Sequence, residues 1–406
     1  MASSPYFHES ACAPFRAEAL ASIALLLFAF PKPARNFVFV LLGTAFVVLG
    51  NLWLRHFQPT LNVVLADIGL ASLVALGLLA ISAKNHDRRR LLSVFFGAAL
   101  FAASDWAITL ALYATTRLHP KTFDLFLFSF DASLGFQPSF VAGQWMAGCP
   151  WLHAICMAVY IGLPIPLMLL FVTHLRRRDS LASSVLVPLL AAPILGTVIY
   201  NLLPATGPAY VFGGFPQHPL AMETVRTLAI QPLPIPAAPR NAMPSLHMAW
   251  VLLALWRSRQ NTALQWIFLA FAIFTVAATL GSGEHYLIDL VVAFPFALMV
   301  HAGCDSTIPW ASLQRKVPIL FGTFAVLLWI ALLSFVNRVF WLSPAIPWCL
   351  ASLTVLGSCA MAGRFGFRLH PSAGSRYGLS VRNRLAGAAI PELLPAEAAA
   401  PAPLPR

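Results

Sequence analysis

Two short stretches carry residues whose types and spacing could handle a phosphate. The first is R-N-A-M-P-S-L-H, Arg240 to His247. Pro244 and Ser245 directly precede an apolar run, and proline in the first turn or serine as N-cap is how helices begin. A helix start exposes free N–H groups and a partial positive charge, so it attracts anions. Ser245 adds a hydroxyl donor and Arg240 a forked cation, and His247 falls in the first turn, placed to give or take a proton. The second stretch is G-S-G-E-H-Y-L-I-D, with His285 and Asp289 four residues apart. That spacing puts them on one helix face. A carboxylate beside an imidazole fixes its tautomer and stabilises its cation. Asp289 heads an apolar run, where an acid is costly and reads as functional.

The elements that must hold these groups are membrane helices. Of the 406 residues, 59% are hydrophobic and 10% charged, whereas a soluble chain carries about 25% charged residues. Mean hydropathy is +0.78. Apolar runs of about 18 residues or more recur along the chain. They predict spans at 18–30, 37–54, 60–83, 91–114, 151–174, 180–203, 244–257, 262–280, 285–303, 317–337 and 345–363. The seventh is too short for a full crossing, so its start is expected below the membrane surface. Basic residues collect in alternate connections: Lys84 with Arg88 to Arg90, Arg176 to Arg178, Arg257 with Arg259, Arg315 with Lys316. Positive loops stay inside, which puts both motif stretches at outer helix ends, the C-terminus in the cytoplasm and the protein in a plasma or inner membrane. The net charge of +12 then reflects anchoring to anionic lipid headgroups, and nucleic acid is not implied. The N-terminus lacks the pattern of a removable signal peptide.

Two outer connections stand out. Residues 115–150 contain FDLFLFSFDASLGFQPSF, and that mix of aromatic and polar residues suits a surface helix at the interface. Residues 204–243 are rich in proline, which predicts a stiff, irregular loop. The tail beyond 371 is low-complexity. The six cysteines are scattered, with no C-x-x-C pair, and indicate neither zinc nor redox chemistry. Asp67 and Asp105 lie inside apolar runs. Each either pairs with a neighbouring helix or lines a polar cavity for an acceptor alcohol.

Over about a hundred residues, through YNLLPATGPAY, RNAMPSLHMAW and GSGEHYLIDLVVAFPFA, the chain resembles the type 2 phosphatidic acid phosphatase superfamily. The branch it most resembles is that of inositol phosphorylceramide synthase-like inositolphosphotransferases. The resemblance implies an all-α, polytopic transmembrane bundle, here of about eleven spans, with a metal-free and cofactor-free site acting on a lipid phosphate. It implies that His285 is the nucleophile and forms a phosphohistidine, that Asp289 orients it, and that His247 protonates the leaving oxygen and then activates the acceptor. Ser245 and nearby N–H groups would hold phosphate oxygens, with Arg240 as a clamp. Tyr200, Thr206 and Tyr210 could add donors. The chain departs from the superfamily pattern in three places. The lysine that precedes Arg-Pro by seven residues is absent, Leu246 stands where glycine follows the motif serine, and Ala278 and Thr279 stand where Ser-Arg precedes the nucleophile.

The expected organisation is N-terminal spans with an aromatic loop (1–150), a catalytic core (151–303), a C-terminal pair of spans (304–363) and a cytoplasmic tail (364–406). A phosphatase, a phosphotransferase and a non-enzymatic lipid transporter are the functions open to such a chain. The transporter predicts repeats and polar groups at mid-membrane, and the sequence shows neither.

Overall fold

In the computed structural model, residues 21–25, 33–55, 61–83, 85–176, 182–235 and 238–368 are described. Met1–Phe365 is one unit and Gly366–Arg406 another, and of the second only the end of a helix is described. The expected first span, apart from 21–25, and the tail beyond 371 fall outside the described residues.

The chain opens with the short helix α1 (21–25) and three long helices, α2 (Pro33–Arg55), α3 (Leu61–Ser82) and α4 (Asn85–Leu118). They pack in series, α2 on α3 and α3 on α4, and α4 then packs on α9 (Ala182–Leu202). Between α4 and α9 lie β1 (Lys121–Thr122), α5 (Asp124–Ser133), α6 (Pro138–Gly148), α7 (Pro150–Gly162) and α8 (Pro164–Arg176). The next connection holds only α10 (Pro208–Val211), α11 (Met222–Thr227) and β2 (Leu233–Pro234), as the prolines predict. α12 (Leu246–Arg257), α13 (Thr262–Gly281), α14 (Leu287–Gly303), α15 (Leu313–Phe335), a 3-10 turn (Asn337–Trp341) and α16 (Ala345–Arg368) complete the chain.

Local signals account for several boundaries. Ser245 caps α12, its hydroxyl accepting from Met248 N at 3.5 Å, and Asn261 caps α13, accepting from Leu264 N at 3.2 Å. Pro164 cannot donate to the helix before it, so α7 and α8 meet at a 43° bend. α14 is apolar nearly all round, and such a helix belongs at the centre. It packs against α15, α12, α9 and α5.

Each expected span from 37–54 onward falls on a helix or, for 151–174, on the bent α7–α8 pair. Among the described residues, five helices are long and apolar enough to cross a membrane, or up to seven if each bent pair is one span. Four further apolar helices, among them Leu246–Arg257 and Leu287–Gly303, are shorter.

The surface helix expected within 115–150 is not what forms. α5 and α6 meet at an 85° elbow, and every residue of α5 is buried. An interfacial helix needs a charged face for water. α5 is aromatic or aliphatic on all sides, and its rings find protein partners: Phe128 lies 4.6 Å from Phe212, and Phe130 lies 5.1 Å from Trp329 and 4.9 Å from Phe340. Its two acids, as shown below, are taken up by backbone N–H groups.

Candidate active site

The starts of α12 and α14 and the ends of α9 and α13 meet at one place. Ser245 N donates to Asp289 O at 3.1 Å, His285 N to Thr279 O at 3.2 Å, and Tyr200 OH to Pro244 O at 3.0 Å. The two motif stretches are thus joined directly, main chain to main chain.

His285 Nδ1 lies 3.4 Å from Asp289 Oδ2, with both side chains buried. That is longer than a good hydrogen bond. Nδ1 and Asp289 Oδ1 have no hydrogen-bond partner among the described residues. Closing such a gap is worth about 1–3 kcal/mol, and catalytic contacts of this kind tighten around substrate. Asp289 Oδ2 also accepts from Tyr286 N at 2.7 Å, which fixes the carboxylate at the third position of α14. With Nδ1 facing the carboxylate, Nε2 is the nitrogen left to attack. The backbone of His285 is held from a second side, where Ser139 Oγ donates to His285 O at 2.9 Å.

His247 stands in the first turn of α12, stacked on Tyr160 with ring centroids 3.8 Å apart and planes 18° from parallel. It is within electrostatic reach of His285. At the start of α12, Ser245 Oγ takes Met248 N, leaving the N–H groups of Leu246 and His247 without a hydrogen bond among the described residues. Leu246, where the superfamily pattern has glycine, turns its side chain to α9. A Cβ at Gly196 would sit 2.8 Å from Leu246 Cδ2. The bulk of Leu246 thus meets a gap in the neighbouring helix.

Arg240 is not aimed at this place. Its side chain is 0% exposed, and its guanidinium donates to the carbonyls of His119, Ala238 and Ile235. Tyr200, Thr206 and Tyr210 are engaged too: Tyr200 with Pro244, Thr206 with Asp124, and Tyr210 with Glu284 at 3.0 and 3.2 Å. Asp67 is buried on α3, whose main neighbours are α2 and α4, so it lies in the N-terminal layer. Asp105 is on α4, and its side chain lies outside the described residues.

Sequence reasoning passed over two acids of α5. Asp131 accepts from Leu287 N at 2.7 Å and Ile288 N at 3.1 Å, so it caps α14 from another helix. Asp124 accepts from Thr206 N and Gly207 N, at 3.0 and 2.9 Å, and from Tyr286 OH at 3.1 Å. Gly207, with φ +118°, comes so close to the loop that carries His285 that a Cβ would lie 2.5 Å from Glu284 O. Two acids in an otherwise apolar, aromatic segment were the available signal, since buried carboxylates need donors. Because Asp131 occupies the start of α14, the start of α12 is the one left to receive an anion.

No curated protein and no solved structure matches the chain. The comparison that does identify a relationship is with a protein family: the model of the PAP2 superfamily matches residues 125–303, the segment that holds both histidines, Asp289 and Ser245.

Proposed function

We propose that the protein is a membrane enzyme that moves phosphoryl groups on lipids through a phosphohistidine on His285. The observation that carries this is the joining of the α12 and α14 starts, which sets a nucleophile with its carboxylate beside a second histidine and a helix start with free N–H groups. Members of the PAP2 superfamily are generally phosphatases or phosphotransferases, in accord with this chemistry. In the first step His285 Nε2 attacks phosphorus, the bond to the leaving oxygen breaks, and His247 donates the proton that oxygen needs. In the second, His247 takes a proton from water or an alcohol, whose oxygen displaces His285 and restores it. Ser245 and the Leu246 and His247 N–H groups hold the equatorial oxygens, where charge builds. The proposed course needs no metal, since its nucleophile, acid and base are side chains.

A lipid phosphodiester as substrate, as in the inositolphosphotransferase-like branch, is favoured over a phosphomonoester by one feature. With Arg240 committed to backbone carbonyls, no arginine or lysine among the described residues pairs with His247, His285 or Asp289. A dianionic monoester needs such cations more than a monoanionic diester does.

The apolar helices support a membrane substrate, and the charge bias of the loops favours access from the outer side of a plasma or inner membrane. A transporter is disfavoured because the polar groups gather at one set of helix ends.

The test uses detergent-purified protein, with a His285→Ala control. Lipid phosphomonoesters and phosphodiesters are supplied with and without alcohol acceptors, and orthophosphate and new phospholipid are measured together. New phospholipid that requires His285 is expected. His285-dependent orthophosphate that ignores acceptors establishes a phosphatase instead. Turnover that survives His285→Ala overturns the mechanism.

A further inference from the structure

Four carboxylates gather at this end of the helices: Asp124, Asp131, Asp289 and Glu284. The first three are fully enclosed and are held by N–H or hydroxyl donors. Glu284 differs. It directly precedes the nucleophile, is only half-buried, and has the Tyr210 hydroxyl hydrogen-bonded to its carboxylate at 3.0 and 3.2 Å.

Its placement is fixed from several directions. Ala209 N donates to Gly283 O at 3.0 Å, and a Cβ at Gly207 would lie 2.5 Å from Glu284 O, so the Tyr210 segment and the loop that carries His285 pack closely. Tyr160, whose ring stacks on His247, interacts electrostatically with both Glu284 and Tyr210. Glu284 therefore stands next to His285 in the chain, with its carboxylate within electrostatic reach of that histidine. Burial raises its carboxyl above the ordinary glutamate value, while His285 and the Tyr210 hydrogen bond pull it back.

We propose that Glu284, held by Tyr210, is a charge filter that sets substrate specificity by disfavouring dianionic phosphate monoesters relative to monoanionic lipid phosphodiesters. This rests on the phosphohistidine reading above and adds a residue to it. A phosphomonoester carries nearly two charges at pH 7, a diester one. A tethered carboxylate beside the phosphorylated histidine repels the second charge, and Arg240, bound to backbone carbonyls, does not offset it. Glu284 takes no part in bond making, so its effect falls on the ratio of two substrates and not on the chemistry common to both.

The experiment compares wild type, Glu284→Gln, Glu284→Asp and His285→Ala. The readout is the ratio of kcat/KM for a lipid phosphomonoester to that for a lipid phosphodiester with the same acyl chains. A ratio within one preparation does not depend on how much of the protein is folded. Glu284→Gln is expected to raise it about tenfold, the effect of removing one unit charge near the phosphate. Glu284→Asp keeps the charge and should leave the ratio within about twofold of wild type. Inorganic phosphate gives a readout that needs no turnover, and its Kd should fall about tenfold in Glu284→Gln. A ratio and a phosphate Kd both unchanged in Glu284→Gln, or a ratio that rises equally in Glu284→Asp, overturn the filter. Turnover that persists in His285→Ala defeats the phosphohistidine reading instead, and the phosphate Kd still decides the filter.

Discussion

Helices α2 and α14 draw on the same apolar residue types and use them in opposite ways. α2 turns its large side chains outward: Phe46 and Trp53 are each 80% exposed, and Phe37, Phe39 and Leu42 are exposed beside them. α14 turns nearly everything inward. Outward apolar faces suit lipid and ask little of any one position. Inward ones have protein on every side, and their polar groups must be matched donor to acceptor. The candidate site sits at helix starts where Asp131, Asp289 and Ser245 take up N–H groups.

Substitutions can break or sharpen this contrast. His285→Ala should cost about 10⁴-fold or more in kcat, because it removes the proposed nucleophile. His247→Ala should cost about 10²–10⁴-fold, with burst kinetics separating the loss of the acid from the loss of the nucleophile. Asp131→Ala strips two N–H groups at the start of α14 of their acceptor. It should lower stability by about 2–4 kcal/mol and reduce kcat as His285 loses its place, while Asp131→Asn, which keeps an acceptor oxygen, should recover most of both in thermal unfolding and activity assays. Tyr160→Leu leaves His247 without its stacked ring, and about a tenfold fall in kcat is expected. At the other extreme, Phe46→Ala and Trp53→Ala should change stability by no more than about 0.5 kcal/mol and leave turnover unchanged. Asp67→Asn belongs with them if its role is packing in the N-terminal layer, and a marked change in acceptor use would instead tie that layer to the site.

Much of this contrast could be read in the sequence. Apolar runs gave the helices, Pro244 and Ser245 gave the start of α12, and His285 with Asp289 gave the pair at the start of α14, His285 lying just before the helix, because each signal is local. What was hidden depends on partners distant in the chain. The aromatic run of α5 has the composition of an interfacial helix, and only its contacts with Phe212, Trp329 and Phe340 make it core. Asp131 caps a helix more than 150 residues away, and no spacing announces that. Arg240 has the type and position of a phosphate ligand, and what redirects it is three carbonyls, one of them on His119.

The last of these contacts bears on modularity. Arg240 is one of several bonds between the end of α4 and the loop leading to α12. Thr116 Oγ1 donates to Ala238 O, Ile235 N to Pro120 O, and His119 pairs with Asn201. On the other flank, Asn337 and Trp348 donate to carbonyls of Phe126 and Leu134. The segment from 125 to 303 is therefore not a cassette that can be excised or grafted with its geometry intact. Helices that contribute no reacting atom act as its jig, and a chimera that swaps them would misplace the start of α12 while every motif residue remained in the sequence.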